Sequence, residues 1–226
     1  MRLRPRRSRV AKVKDCNVLE TRSLRLLLTG FGKFSGVERN PTQSLVKYFI
    51  NRKKKGIDVV EGVNTKMKIL EVSVDACDKV AEKSRANIFV HLGVNYRGTA
   101  VQLEQVAYNN MDFRVADQKG YQPKRRRIFT NRKLDQGLHS DFDLAAVKSS
   151  VVAQLQLPKG QLVLSEDPGR FLCNYIYAKS VGNQVAKKYP AYSVFVHVPP
   201  FTRIQRSRQI AIVQAVLDAL LAQVAL

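Results

Sequence analysis

Short apolar runs alternate with longer stretches of helical spacing from Leu24 to the end of the chain. The short runs are rich in Leu, Ile and Val and predict buried strands. They cover 24–29, 68–74, 87–92, 161–165 and 193–198, with a further strand or extended segment at 103–107. The longer stretches predict helices over about 40–50, 75–84, 141–155 and 205–224. This alternation favours an α/β fold, a three-layer α/β/α sandwich around a mixed, largely parallel central sheet.

Local signals support several of these boundaries. Pro41 follows Asn40 at an early position of the first predicted helix, where its missing N–H is tolerated. The region from 109 to about 139 is polar and rich in turn-forming residues, which predicts loops. We therefore divide the chain into a basic, disordered arm over 1–22 and a single domain over 23–226.

The composition predicts a soluble globular protein. Of the 226 residues, 45% are hydrophobic and 25% are charged, which is enough to bury a substantial core. No apolar run reaches the roughly 18 to 20 residues that cross a bilayer, and the start of the chain lacks the apolar segment of a secretory signal. The three cysteines are widely spaced and form no CxxC pair, so neither a disulfide framework nor a zinc site is predicted. These features favour a cytoplasmic protein without membrane contact.

The chain is strongly basic, with a formal net charge of +21. Residues 2–14 contain seven Arg or Lys and no acid, and further basic clusters lie at 52–55, 124–127 and 203–208. One interpretation is that the arm binds nucleic acid nonspecifically, or that residues 1–14 direct the protein to an organelle or the nucleus. The other is a disordered arm with solvated loop charges. The loop positions favour solvated charges for the internal clusters, whereas the arm fits targeting slightly better.

Cys173 has a sequence environment that suits a reactive thiol. The apolar run at 161–164 is broken by the turn Asp167-Pro168-Gly169, and apolar residues then recur at helical spacing. This pattern predicts that Cys173 lies in a first helical turn, where unpaired N–H groups and the helix dipole favour a thiolate. The alternative is a buried packing cysteine, which is common in helices.

Among the three histidines, His197 is the best partner for this thiol. It ends an apolar strand before Pro199-Pro200, and ligands of α/β sheets lie at the carboxyl ends of strands. We expect Cys173 and His197 to meet at the same edge of the sheet, with Glu104 as the carboxylate that orients the imidazole. His91 is interpreted as a hydrogen-bonded structural residue, and His139 lies in a polar loop.

Four segments of the chain resemble the pyroglutamyl peptidase I family, which consists of cysteine peptidases that remove an N-terminal pyroglutamate. The matching segments are TGFGKF at 29–34 with Asn40-Pro41, HLG at 91–93 with EQVAYN at 104–109, DPGRFLCNY at 167–175, and FVHVP at 195–199. Together with the strands between them, these segments span nearly everything from Leu24 to the C-terminus, and the last two are specific. The variants HLGVN at 91–95 and FTRI at 201–204 resemble a plant-like branch of the family.

The resemblance implies a role for each matching residue. Cys173 would be the nucleophile, His197 the general base and acid, and Glu104 the orienting group, with no metal or other cofactor. The residues implied to bind the pyroglutamyl peptide are Phe31 and Phe34, which would sandwich the pyrrolidone ring, Asn40 at its polar edge, Arg114 beside the catalytic site, and Val115, Phe171 and Leu172 in the pocket wall. For Phe31 and Phe34 ordinary core packing is the alternative, and Asn40 can also serve as a helix N-cap.

Two residues near these motifs depart from the family pattern. Pro168 replaces the usual alanine, which removes a backbone donor near the site. Val94 stands where many bacterial members have a glutamine. The sequence leaves open whether the chain forms a homo-oligomer.

Two further hypotheses come from other classes of protein. One is a nucleic-acid-binding protein that has kept a peptidase fold and is weak or inactive as an enzyme, with the arm and 124–127 as the binding elements; no RNP, KH or zinc-finger signature supports it. The other is a peptidyl-tRNA hydrolase, which shares a similar α/β architecture and would not require a cysteine nucleophile.

Overall fold

Strands and helices alternate along the chain as the apolar pattern predicts. A computed structural model describes residues 24–34, 39–182 and 192–224. In these ranges the elements are β1 (Arg25–Phe31), α1 (Pro41–Lys54), β2 (Asn64–Leu70), α2 (Val74–Lys83), β3 (Ile88–Val94), β4 (Val101–Glu104), β5 (Val106–Tyr108), β6 (Gly137–His139), α3 (Leu144–Leu155), β7 (Leu162–Ser165), α4 (Leu172–Gly182), β8 (Tyr192–Val198) and α5 (Arg206–Val224). The arm predicted at 1–22 lies outside the described residues.

Six of the strands form one sheet in the order β2-β1-β3-β8-β4-β7. The first four are parallel to one another, whereas β4 pairs antiparallel with β8 and parallel with β7. The sheet is therefore mixed and largely parallel, as predicted. The two reversed strands matter for the site, because they bring Glu104 on β4 beside the end of β8.

Helices cover both faces of this sheet. Alternate residues of β1 face opposite sides: Leu26 and Leu28 pack with α1, α3 and α5, whereas Leu27 packs with α2 and α4. Both faces are apolar because both are buried, which explains the continuous apolar runs of the central strands. The three-layer α/β/α sandwich is confirmed, and α4, which carries Cys173, lies with α2 on one face of the sheet.

Two predicted strands have different boundaries in the structure. The strand predicted at 68–74 is β2, which begins at Asn64 and ends at Leu70, because Ser73 caps α2 by accepting a hydrogen bond from Ala76 N–H. As an edge strand, β2 carries exposed lysines, and these interrupt the apolar pattern from which its start would have been predicted. The segment predicted at 103–107 divides at Gln105 into β4 and β5, which belong to different sheets.

The polar region after β5 is an ordered loop that is held by one buried side chain. Asn109 donates from Nδ2 to the carbonyls of Phe129, Arg132 and Lys133 at 2.9 to 3.1 Å, and its Oδ1 accepts from Phe129 N–H at 2.7 Å. The loop then returns to β6, which pairs with β5. No described helix has the length and apolar content needed to cross a membrane.

Candidate active site

Cys173 lies in the first turn of α4, as the turn and the helical spacing predict. The first regular hydrogen bond of the helix runs from Tyr175 N–H to Phe171 O at 3.0 Å. The N–H groups of Leu172, Cys173 and Asn174 precede that bond, so they belong to the helix end whose donors have no intrahelical acceptor. The thiol is half-buried, which leaves it accessible to a small substrate.

The turn before α4 is built around Pro168 and Gly169. Gly169 has a φ of +74°, a conformation that favours glycine, and its N–H donates to Asp167 Oδ1 at 3.1 Å. Pro168 is buried and lies outside the first turn of α4. Its missing N–H is therefore not one of the three free donors at the helix start.

His197 interacts with both Glu104 and Cys173. Its Nδ1 lies 2.7 Å from Glu104 Oε1, and the Cys173 thiol is near enough to shift the pKa of the imidazole. Both His197 and Glu104 are buried. Burial works to lower the pKa of His197, but the neighbouring Cys173 and Glu104 outweigh it and raise that pKa to about 9. The arrangement therefore favours a protonated His197 between Cys173 and Glu104.

The thiol reaches His197 by a different route from the one expected. Because β7 runs antiparallel to β8, its carboxyl end does not lie at the same edge of the sheet as His197. Instead, α4 packs on the face of the sheet, and Cys173 Sγ lies directly over Gly93, the residue paired with His197 on β3. A Cβ on Gly93 would lie 2.9 Å from Sγ, so only glycine leaves room for the thiol.

Two side chains of α4, which the sequence did not indicate as functional, bind the helix to β4 and β5. Tyr177 Oη donates to the Glu104 carbonyl at 2.8 Å, and Asn174 exchanges hydrogen bonds of 2.7 and 2.9 Å with the main chain of Tyr108. Tyr177 lies one helical turn after Cys173 and therefore on the same face of α4, and this spacing is the signal by which the sequence could have indicated Tyr177 as a neighbour of the site. Asn174 directly follows the cysteine in the motif.

Several aromatic rings lie next to Cys173 in the chain or in space. The ring centroid of Phe171 is 4.7 Å from that of Phe113, in an edge-to-face arrangement, and 6.4 Å from that of Phe34. Phe31 belongs to the same apolar cluster and is only 4% exposed. Phe113 was missed because its partner is distant in the sequence. These rings form an apolar wall beside the thiol, although the sandwich by Phe31 and Phe34 remains a prediction.

Asn40 is the N-cap of α1, the alternative role that the sequence allowed. Its Oδ1 accepts from Thr42 N–H at 3.1 Å, and its Nδ2 donates to Gly32 O at 2.9 Å. Asn40 thus ties the loop that carries Phe34 to the start of α1. Its contact with substrate remains a prediction.

The other predicted binding residues differ in position. Leu172 is buried in the same apolar cluster as Phe31, whereas Arg114 and Val115 are exposed on the loop after Phe113. Within the described residues, neither Arg114 nor Val115 bonds through its side chain to Cys173, His197 or Glu104. Nor do three His, Cys, Asp or Glu side chains cluster as a metal site requires in those parts of the chain.

Comparison with known proteins agrees with this geometry. The family model described as pyroglutamyl peptidase matches residues 24–222. The chain belongs to the pyroglutamyl peptidase family. The match includes Glu104, Cys173 and His197, and it confirms the resemblance carried by the four sequence motifs.

Similar proteins come from archaea and bacteria. The pyrrolidone-carboxylate peptidase of Thermococcus litoralis is 29% identical over 183 residues, which are 77% of this chain and 76% of that protein. The enzyme of the same name from Pyrococcus furiosus is 27% identical over 180 residues, 78% of this chain and 81% of that protein. The plant-like branch remains a prediction.

Solved structures support the fold. The pyrrolidone carboxyl peptidase of Thermococcus litoralis superposes with a TM-score of 0.75 at 23% identity, over 89% of this chain and 95% of that one. A mutant of the Pyrococcus furiosus enzyme gives 0.77 at 21% identity, over 88% of this chain and 99% of that one. None of these similarities supports the nucleic-acid-binding alternative.

Proposed function

We propose that this protein hydrolyses the amide bond that follows an N-terminal pyroglutamate, with Cys173 as the nucleophile, His197 as the general base and acid, and Glu104 as the orienting carboxylate. The observation that carries the proposal is the series of contacts from buried Glu104 through buried His197 to the half-buried Cys173 at the start of α4. This is the arrangement that covalent catalysis by a thiol needs.

The first half of the reaction forms an acyl-enzyme. The Cys173 thiolate attacks the pyroglutamyl carbonyl carbon, and the C–O π electrons move to the oxygen. As the tetrahedral intermediate collapses, the C–N bond breaks and His197 gives its proton to the leaving amine. The N–H groups of Leu172, Cys173 and Asn174 are the natural donors for the oxyanion, because the helix leaves them without an acceptor.

The second half regenerates the enzyme. Neutral His197 takes a proton from water, and the resulting hydroxide attacks the thioester carbonyl. The C–S bond then breaks, which leaves the Cys173 thiolate beside a protonated His197 and releases pyroglutamic acid, which loses its proton to solvent. Glu104 holds Nδ1 throughout, so that Nε2 carries each proton.

The apolar wall fits the predicted substrate. A pyrrolidone ring is small, flat and uncharged, and the rings of Phe31, Phe34 and Phe171 offer apolar surface to its faces. We assign Asn40, Arg114, Val115 and Leu172 to the same pocket from the family resemblance. A free α-amine would be costly to bury there without a partner, which explains selectivity for the cyclised N-terminus.

Turnover of a fluorogenic pyroglutamyl amide tests the assignment. Cys173→Ala is expected to abolish turnover, whereas the matched variant Cys77→Ala removes a thiol from the core and is expected to retain it. Alkylation of the thiol should stop the reaction, and EDTA should not. Wild-type turnover by Cys173→Ala would disprove the proposed nucleophile.

A further inference from the structure

A row of three buried polar side chains lies beneath the helix that carries Cys173. Thr29 Oγ1 is 2.7 Å from His91 Nδ1, and His91 Nε2 is 2.7 Å from Ser180 Oγ. Thr29, His91 and Ser180 are each at most 1% exposed. The row crosses from β1 through β3 to α4, so it joins two strands of the sheet to the nucleophile's helix.

The directions of the hydrogen bonds in this row follow from the contact that Ser180 makes with its own helix. Ser180 Oγ donates to the Ile176 carbonyl at 2.9 Å, so it accepts a hydrogen bond from His91 Nε2–H. With the Nε2 tautomer, His91 Nδ1 accepts from the Thr29 hydroxyl, and each donor in the row has an acceptor.

The spacing of these residues relates them to the active site. Ser180 follows Cys173 by seven residues, two helical turns, and therefore lies on the same face of α4. His91 precedes Gly93 by two residues and lies on the same face of β3. Helix α4 thus meets β3 at two points, with Cys173 over Gly93 and Ser180 at His91. Two points of contact determine both the rotation and the axial position of the helix.

We propose that Thr29, His91 and Ser180 are positioning residues, which hold α4 at the rotation and height that place Cys173 Sγ against His197. The inference rests on the proposed function of Cys173, because it concerns the same site. The hydrogen bonds of the row join β1 and β3 to α4, and through this helix they act on the position of Cys173. A row that serves stability alone is the competing explanation.

Two substitutions remove one hydroxyl each with little change of volume, Thr29→Val and Ser180→Ala. For each we expect kcat to fall by about 10-fold to 100-fold with KM changed less than about twofold, since small displacements of a reacting group cost rate rather than affinity. Alkylation of Cys173 by iodoacetamide at neutral pH, followed by mass spectrometry to separate it from the other cysteines, should slow by a similar factor.

Matched variants separate position from stability. Ser149→Ala removes an exposed serine that also donates to the carbonyl four residues before it, and it should keep wild-type rates. Thr29→Ser keeps the hydroxyl and should restore them. All rates are measured below the melting temperature of each variant and per folded molecule.

The outcomes decide between the two explanations. If Thr29→Val and Ser180→Ala melt at lower temperature but turn over and alkylate within about twofold of wild type, the positioning role is overturned. If wild-type protein cleaves no pyroglutamyl amide, the proposed function fails, and the alkylation rates alone still test the positioning role. Should Ser180→Ala not fold, Thr29→Val and Thr29→Ser suffice for the comparison.

Discussion

The charge of His197 determines the pH range in which the site can act. Its pKa is raised to about 9 by Cys173 and Glu104, which outweigh burial, so the imidazolium that protonates the leaving amine persists through neutral pH. We expect kcat/KM to fall as pH rises through about 9. The same shift stabilises the fold fully below about pH 6.5, the unfolded pKa of histidine, and that contribution is lost as pH rises through about 9.

Glu104→Gln provides the control for this pH profile. The variant removes a charge that raises the pKa of His197, so the alkaline limb should move to lower pH while Nδ1 keeps a hydrogen-bond acceptor. If kcat/KM of the variant falls at the same alkaline pH as that of the wild type, Glu104 does not raise the pKa of His197.

Gly93 is a second residue whose identity the site requires. A Cβ there would lie 2.9 Å from Cys173 Sγ and 2.5 Å from Phe195 Cζ, both too short to be tolerated. We expect Gly93→Ala to displace the thiol and to lower kcat by about 10-fold to 100-fold. Kinetics with the fluorogenic amide measure the effect, and a wild-type kcat in a folded variant would contradict it.

At the scale of elements, the start of α1 and the opening loop share one side chain, Asn40. Asn40→Ala loses the N-cap and should lower the free energy of unfolding by about 1 kcal/mol in urea titrations. Asn40→Asp keeps the acceptor for Thr42 N–H but cannot donate to Gly32 O. It should therefore retain more stability than Asn40→Ala and still raise KM, because the loop that carries Phe34 loses its tie.

The comparison of the two variants tests this division of roles. Equal KM values for wild type and Asn40→Asp would show that the hydrogen bond to Gly32 does not support substrate binding. Equal stability of Asn40→Ala and wild type would show that the cap contributes little.

The internal basic clusters at 52–55 and 124–127 have local structural roles in the molecule. Arg52, Lys53 and Lys54 lie in the last turn of α1, where positive charge is favourable to the helix dipole. Lys124 Nζ donates to the Phe113 carbonyl and so supports the loop beside the site. The loop position predicted for the cluster at 52–55 is therefore wrong for Arg52, Lys53 and Lys54, which belong to a helix, and nucleic-acid binding by the internal clusters stays a prediction.

At the scale of the whole molecule, the function of the basic arm over 1–22 is a prediction that deletion can test. The candidate site residues, from Phe31 to His197, all lie in the chain after the arm, so we expect deletion of 1–22 to leave kcat/KM unchanged. If the arm binds nucleic acid, filter binding across salt should be steep for the full chain and shallower after deletion.

Imaging of the full and shortened chains tests targeting by residues 1–14. An unchanged location would exclude it. Equal salt dependence for the two chains would exclude nucleic-acid binding by the arm.

Local pattern was sufficient wherever neighbouring residues decide the structure. Apolar runs indicated the central strands, the turn at 167–169 placed Cys173 at a helix start, and Asn40-Pro41 marked the beginning of α1. The edge strand β2 was misplaced because exposed lysines interrupt its apolar pattern. Gln105 was missed as a break because nothing local shows that β4 and β5 join different sheets.

The amino-acid sequence alone therefore specified the α/β class and the three candidate catalytic residues, because apolar periodicity, turn chemistry and family motifs are all local signals. Tertiary structure decided how those residues meet. The reversal of β4 and β7, the passage of α4 over Gly93, and the row from Thr29 to Ser180 depend on strand order and register. These join residues 62 to 93 positions apart, and no local signal in the chain encodes such pairings.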